Sequence, residues 1–400
     1  MTRHLLRLIW HRKGSNLLVM TEILLSFLVL FGVVTLGIFY SSNFRHPLGF
    51  DYENVWCLEV GRPGDWSTET EATMNQLVRA LGELQPVQAA APAFAGPFAS
   101  GSWTSVYTVG GRSYDYAQNV VGDGFRETMG LELLEGRWFG REDDGAVVRP
   151  VVINDRMAHM VFGGDEPVGK LVPQDKDRND EPRPEMRVIG VVRDFRQHGE
   201  FSTPESYVFQ RLAGSVVGVS VAPPRLVVIK VRPGTSAAFE EALMTRALAT
   251  APDWSFTVKP AAEVRATNHR LYLAPLIVVG LVSGFLLLMV ALGLTGVLWQ
   301  SVTQRTREIG LRRAKGASIP RIHAQFLGEI LVMTTLSLSV GVLVAAQLLL
   351  FDEVTGIEPG VYFTSLAISI LAIYCLTAAC GYYPSRLATR VTPAEALRYE

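Results

Sequence analysis

Four long apolar runs constrain this chain more than any other feature. Leu17–Tyr40 carries one charge, Glu22, near its start, and Leu273–Trp299 carries none. Phe326–Leu350 carries only Glu329, again near an end, and Val361–Tyr383 carries none. A helix of about 20 apolar residues crosses the hydrocarbon core of a bilayer. Each run meets that length, and each is too uniformly apolar for a helix of a water-soluble core. The first run exceeds a signal-peptide h-region, and no small-x-small cleavage site follows it cleanly, so it reads as a retained anchor. Across the chain 48% of residues are hydrophobic and only 19% charged, which excludes a disordered chain. A net charge of −1 excludes one that grips nucleic acid through bulk charge.

The loops orient these spans. Arg3, Arg7, Arg12 and Lys13 precede the first; six Lys or Arg residues lie between the second and third; Arg386, Arg390 and Arg398 follow the fourth. The loop between the third and fourth has none, and carries Asp352, Glu353 and Glu358. Lys and Arg stay on the cytoplasmic side, so both termini are expected inside and residues 41–272 outside. The expected fold is an α-helical membrane protein with four transmembrane helices, one plus three, and a large mixed α/β extracytoplasmic domain inserted between helices 1 and 2. Its boundaries run 1–16 (an amphipathic inner-surface segment around Trp10), 17–40, 41–272, 273–299, 300–325 (inner loop), 326–350, 351–360 (outer loop), 361–383 and 384–400 (inner tail). Trp299, Tyr382 and Tyr383 fall where interfacial aromatics belong.

The outer domain mixes both periods. Thr68 to Glu71 fits a capping box opening a helix through Met74, Leu77, Val78 and Leu81. Val106–Val109 and Arg112–Tyr116 flank a Gly110-Gly111 hairpin pair. Val147–Ile153, Arg187–Val192 and Leu226–Val231 read as strands, and Ser236–Leu248 as a second amphipathic helix. Gln174–Glu185 reads as an exposed loop.

Candidate chemistry is sparse. His46, His159, His198 and His269 have no metal-ligand spacing, and His198 beside Glu200 reads as a solvated loop pair. Cys57 reads as a buried apolar filler. Gly164-Asp-Glu-Pro-Val-Gly169-Lys170 matches a phosphate-loop pattern, but Leu171 stands where the magnesium-binding Ser or Thr belongs, and Pro167 removes a backbone donor. No catalytic, cofactor or metal residues are expected, and the chain is read as non-catalytic.

Two regions resemble the MacB/FtsX type of ABC transporter permease. Gly130-Leu-Glu-Leu-Leu-Glu-Gly-Arg137-Trp-Phe139, Pro150-Val-Val-Ile-Asn154, Val161-Phe-Gly163, Pro167-Val-Gly-Lys170 and Val188-Ile-Gly-Val-Val-Arg-Asp194-Phe195 follow the motif order of its periplasmic core domain. The phosphate-loop match falls inside that order. Arg307-Glu-Ile-Gly-Leu-Arg-Arg-Ala-Lys-Gly-Ala317 and Thr392-Pro-Ala-Glu-Ala-Leu-Arg-Tyr-Glu400 are similar to its cytoplasmic loop and tail. The resemblance departs from MacB itself in that these residues hold no ATPase domain.

The resemblance implies a permease that works by mechanotransmission in the inner (plasma) membrane, for efflux or envelope transport. The partners it implies are a separate cytoplasmic ABC ATPase that binds the ATP, a second permease copy (homodimer or heterodimer), and a periplasmic adaptor with an outer-membrane channel. The alternative is an FtsX-like regulator of an extracytoplasmic partner such as a cell-wall hydrolase. Arg305, Arg307, Glu308, Ile309, Leu311, Arg312, Lys315 and Gly316 form the expected ATPase-coupling loop; read without the resemblance, the same loop serves equally as a topology signal touching anionic lipid. Val264, Leu271 and Val278 repeat every seven residues, consistent with a stalk running into the second span. Gly280 and Gly284 form a Gly-x-x-x-Gly, a candidate helix-packing face.

The orientation has a direct check. A cysteine placed within residues 174–185 should react with an impermeant thiol reagent added to intact cells, and one placed at Ser318 should not. The reverse pattern would invert the topology.

Overall fold

The computed structural model describes residues 13–99, 101, 103–109, 112–173, 185–212, 223–304, 311, 318–348 and 358–388. They fall into two compact units, Met1–Ser41 with Leu273–Glu400, and Ser42–Tyr272.

The first unit is helical. Its helices are α1 (Lys13–Phe44), the later part of a helix that begins in the second unit, and two further helices, Ile319–Leu348 and Pro359–Ala388. Four segments qualify by length and composition to cross a membrane: Leu17–Phe44, Ala261–Val297, Leu327–Gln347 and Pro359–Tyr382. The core of this unit gathers Ile23, Phe27, Phe31, Val290, Leu294, Ile330 and Ile373, all buried. Among its buried hydroxyls, Thr35, Ser365 and Ser369 each donate to the carbonyl four residues back, whereas those of Ser26, Ser283, Thr334 and Ser337 have no hydrogen-bond partner among the described residues. The glycines that admit a neighbour are Gly293, where an added Cβ would meet a Glu22 carboxylate oxygen at 2.7 Å, Gly341, where it would meet the Phe27 ring at 2.6 Å, and Gly381, where it would meet Ile330 at 2.9 Å. At Gly280 and Gly284 an added Cβ meets nothing within 4 Å.

The second unit is built on one ten-stranded sheet. Its elements are β1 (Val55–Gly61), α2 (Thr68–Gly82), β2 (Val87–Ala93), β3 (Trp103–Val109), β4 (Arg112–Val121), α3 (Phe125–Met129), β5 (Leu133–Gly136), β6 (Arg149–Asn154), α4 (Asp155–Phe162), β7 (Met186–Val192), β8 (Tyr207–Arg211), β9 (Leu226–Val231), α5 (Phe239–Thr250) and β10 (Ser255–Pro260), leading into α6 (Ala261–Gln304). The helices of the first unit that follow are α7 (Ile319–Leu348) and α8 (Pro359–Ala388). The strand order is β10-β1-β9-β2-β4-β8-β6-β7-β5, with β3 paired on β4. β4 with β8 and β6 with β7 are parallel, and the remaining pairs are antiparallel.

Local chemistry accounts for the elements. The first outer helix is capped by Ser67, whose hydroxyl accepts from Thr70 N while Thr70 Oγ1 accepts from Ser67 N. The capping box therefore sits one residue before the Thr68 start read from the sequence. Serine beats threonine here because its extended backbone already aims its side chain at the third helical N–H. α2 buries Met74, Leu77 and Leu81, and with α5, through Leu243 and Ala247, covers the β1/β9 end of the sheet. α4 covers β6 and β7 through Met157. The opposite core is aromatic: Phe50, Phe98, Phe125, Phe195, Tyr207 and Phe209 are all buried together. Cys57 lies in that core, and burial pushes its thiol up to about 12, so it stays a neutral packing group.

Two sequence readings shift, and a third falls outside the described residues. The strand read as Val147–Ile153 is Arg149–Asn154, because Val147 is 94% exposed before the chain reaches the sheet. The Ser236–Leu248 helix runs Phe239–Thr250. The Gln174–Glu185 loop lies outside the described residues except for Glu185.

Candidate functional site: a buried polar clamp

The segment after β7, residues Asp194–Ser206, is irregular, yet much of it is buried. Its centre is Arg196, 1% exposed. One guanidinium nitrogen, Nη1, donates to Asn43 O at 2.8 Å and His46 O at 2.9 Å. The other, Nη2, donates to Glu200 O at 2.8 Å and to Ser202 O. Arg196 therefore ties the last turn of α1 and the chain just beyond it to its own loop. Burial lowers the Arg196 pKa, with Glu200 and Asp194 opposing it. A guanidinium nevertheless stays charged, and the four carbonyl dipoles supply what water would have supplied.

Glu200 carries the second half. Its Oε1 accepts from Arg265 Nε at 2.6 Å and its Oε2 meets His269 Nε2 at 3.0 Å. Arg265 and His269 are four residues apart on α6, hence on one face. Asn268, between them on that side, donates to Phe98 O and His198 O, each at 3.2 Å. Burial alone would raise the Glu200 pKa, but hydrogen bonds from His269 and Arg265 outweigh it and hold the carboxyl below the ordinary range. Phe201 adds an apolar lid, its ring 5.1 Å from His269 and 5.8 Å from Phe44. Asn43 closes the circuit by donating to Phe201 O at 3.2 Å.

Glycine makes the approach of these segments feasible. Gly49 has φ +79°, and an added Cβ would sit 1.4 Å from Asp194 O, so only glycine lets the chain after α1 touch this loop.

The His198–Glu200 pair read as solvated is thus corrected. The Glu200 side chain is 8% exposed and that of His198 18% exposed. His198 Nδ1 lies 2.7 Å from Ala99 O, and its Nε2 lies 3.6 Å from Glu205, whose pKa burial raises. Most of these hydrogen bonds join side chains to backbone carbonyls of separate segments.

Other candidate residues fall elsewhere. Of the expected coupling loop, Leu311 is described, helical and 52% exposed. Arg305, Arg307, Glu308, Ile309, Arg312, Lys315 and Gly316 lie outside the described residues. The stalk repeat lies on one continuous helix, α6, but not as a packed seam: Val264 packs on the outer core, while Leu271 and Val278 are 65% and 58% exposed. In the phosphate-loop match, Gly169 N donates to Val188 O, Lys170 N to Pro167 O, and Lys170 Nζ to Asp165 at 2.9 Å, so these donors are already spent.

Comparison with known proteins decides the family. Residues 17–246 match the MacB-like periplasmic core domain and residues 280–393 the FtsX-like permease C-terminal domain. The chain belongs to the MacB/FtsX family of ABC transporter permeases. It is 26% identical to the uncharacterized ABC transporter permease YknZ of Bacillus subtilis over 72% of this chain and 70% of that one. To the macrolide export ATP-binding/permease protein MacB of Hahella chejuensis it is 26% identical over 100% of this chain and 59% of that one. The crystal structure of the periplasmic region of MacB from Actinobacillus actinomycetemcomitans aligns with 54% of this chain and 92% of its own, at 16% identity and a TM-score of 0.38. The chain thus spans little more than half the length of the MacB relative.

The clamp residues escaped the sequence reading. The family-like stretch quoted there stops at Phe195, one residue short of Arg196. A signal was nonetheless present: Arg265, Asn268 and His269 put three polar groups at helical spacing on a helix that is otherwise increasingly apolar.

Glu200→Gln replaces an acceptor by an amide that faces two donors. Leaving a buried charge partner unmatched costs about 2 to 4 kcal/mol, which should appear as a melting temperature lower by at least ~4 °C at pH 7. Because the folded carboxyl titrates below its ordinary range, its stabilisation is complete above that range. It is lost as pH falls through the lowered pKa, so the gap between the two proteins should close below about pH 4. A gap that is absent at pH 7 would show that Glu200 holds nothing.

Proposed function

We propose that this permease transmits force. An ATPase domain outside these 400 residues closes beneath the membrane unit, and the movement passes along α1 and α6 to the outer domain. The reading is supported above all by the clamp. The two helices whose ends meet Arg196 and Glu200 are the same two that carry apolar runs long enough to span a bilayer. A displacement of either helix end is then felt in one loop that leads directly from β7 to β8. The site holds groups for binding backbone rather than for bond chemistry. The four apolar runs carry no charged residue other than Glu22 and Glu329, near the ends read as inner, which is poor lining for a polar conduit.

In this reading both termini and residues 300–325 face the cytoplasm, the outer domain is periplasmic, and two permease copies work together in efflux or envelope transport. An adaptor and outer-membrane channel would receive the motion. The coupling surface is the loop through Arg305, Arg307, Glu308, Leu311 and Arg312. A helix of this charge pattern pairs Glu308 with Arg312 and offers a mixed surface to a partner.

Glu308→Lys tests the coupling. Like charges at helical spacing cost a few tenths of a kcal/mol each, and a more basic inner loop preserves insertion. A misplaced charge at a docking contact costs several kcal/mol. The variant should therefore accumulate in the membrane and dimerise as wild type does, yet lose co-purification with its ATPase or stimulation of ATP turnover. Binding and stimulation equal to wild type would place the coupling surface elsewhere.

A further inference from the structure

A cleft of about 1390 Å³ opens on the outer domain, and nothing in the force-transmission reading uses it. Its floor is the face of β1 and β10 turned away from α2 and α5, where Gly61, Ser255 and Thr257 leave a shallow, small-residue surface. One wall is the first part of α6, with Val264 and Leu271; the other carries Phe94 and Trp103, whose rings meet edge to face at 5.8 Å.

The end of the cleft beside Gly61 is basic. Arg62 and Arg225 both line it, and neither has an ion-pair partner among the described residues. Arg62 donates through Nη1 to Pro224 O at 3.2 Å and stands 5.1 Å from the Trp66 ring centre. Its Nε is buried without a hydrogen-bond partner. Arg225 is exposed, its Cζ 4.7 Å from the Phe94 ring centre. Two guanidiniums this close repel, which adds to the effect of burial on Arg62, and Asp65 relieves this only from beyond ion-pair distance. The acids of the cleft lie elsewhere: Glu59 is answered by Lys259 at 3.3 Å, and Glu263 belongs to the helical wall.

Guanidiniums without an ion-pair partner, beside the Phe94 and Trp103 rings and Leu226 at one end of a mixed trough, have a definite complement. An anionic head satisfies the N–H forks and removes their repulsion, while an apolar body covers Phe94, Trp103 and Leu226. We propose that this cleft binds an amphipathic anion, a carboxylate or phosphate carried on a flat or aliphatic body, with Arg62 and Arg225 holding the head. Cationic amphiphiles are disfavoured by the same two residues. The inference is independent of the force-transmission reading, because it concerns what the outer domain binds and not how it moves.

The test uses the full chain in phosphatidylcholine nanodiscs, with empty discs as the blank, and isothermal titration calorimetry. The probes share one body: 1-naphthyl phosphate, naphthalene-1-methanol and 1-naphthylmethylammonium. Inorganic phosphate and dihexanoyl phosphatidic acid complete the set. We expect saturable binding of naphthyl phosphate, at least about tenfold tighter than of the neutral or cationic analogue or of phosphate alone. Tighter binding of the short-chain phosphatidic acid than of naphthyl phosphate would assign the head to a lipid, and the opposite order to a soluble aromatic anion. Arg225→Gln, which removes only an exposed side chain, should weaken anion binding at least about tenfold at unchanged melting temperature. Equal binding of the three naphthalene probes overturns the proposal without any variant. So does wild-type affinity in both Arg225→Gln and Arg62→Gln.

Discussion

A buried arginine that gives four of its five N–H donors to four backbone carbonyls, with only Nε left unpartnered among the described residues, is the constraint from which the rest of this outer domain follows. Arg196 has no side-chain acceptor; it holds Asn43 and His46 on one side and Glu200 and Ser202 on the other. Carbonyl groups cannot move away singly without leaving a charge unsolvated in a low-dielectric interior, a cost of several kcal/mol. The chain leaving α1 and the loop following β7 must therefore move together or not at all. Glu200 extends the same logic to α6, because Arg265 and His269 both depend on its carboxylate. A salt bridge at the surface would be worth little for this purpose. Burial is what makes these contacts costly to break singly.

That joint sits on a rigid support. Phe195, adjacent to Arg196, packs among Phe50, Tyr207 and Phe209 at ring separations of 4.8 to 5.2 Å. Asn154, at the end of β6, donates to Asp194 Oδ1 and to Glu205 O, each at 2.9 Å, and so pins both ends of the irregular segment to the sheet. The segment thus has fixed ends and a buried middle, the properties needed to carry a displacement into the sheet. Asn268 and Phe98 contribute to this joint and also border the anion cleft, which gives a ligand there a direct neighbour in the joint.

Much of the architecture was legible in the sequence because it rests on local signals. The four spans are read from hydropathy alone, and β9 was read as Leu226–Val231, the bounds it has, because a β-branched run between Pro/Arg and Arg/Pro punctuation leaves little choice. β2 (Val87–Ala93) was missed because its alanines carry no strand preference. β8 was missed because its partners are β4 and β6, more than 50 residues away in the chain. The clamp was illegible for a related reason. Whether His198 and Glu200 are solvated depends on which helix returns to cover them, and that helix begins at Ala261. Gly280 and Gly284 were legible as a motif, and a Cβ added at either would meet nothing within 4 Å among the described residues.

The central claim is that the end of α1, the start of α6 and the segment between β7 and β8 form one mechanical unit through Arg196 and Glu200. Amide hydrogen exchange of the full chain, compared between wild type and Arg196→Met, reads this directly. The account predicts faster exchange together in residues 42–48, 194–206 and 261–272, with β6 and β9 protected as before. Faster exchange confined to 194–206, with both helix ends unchanged, would contradict it.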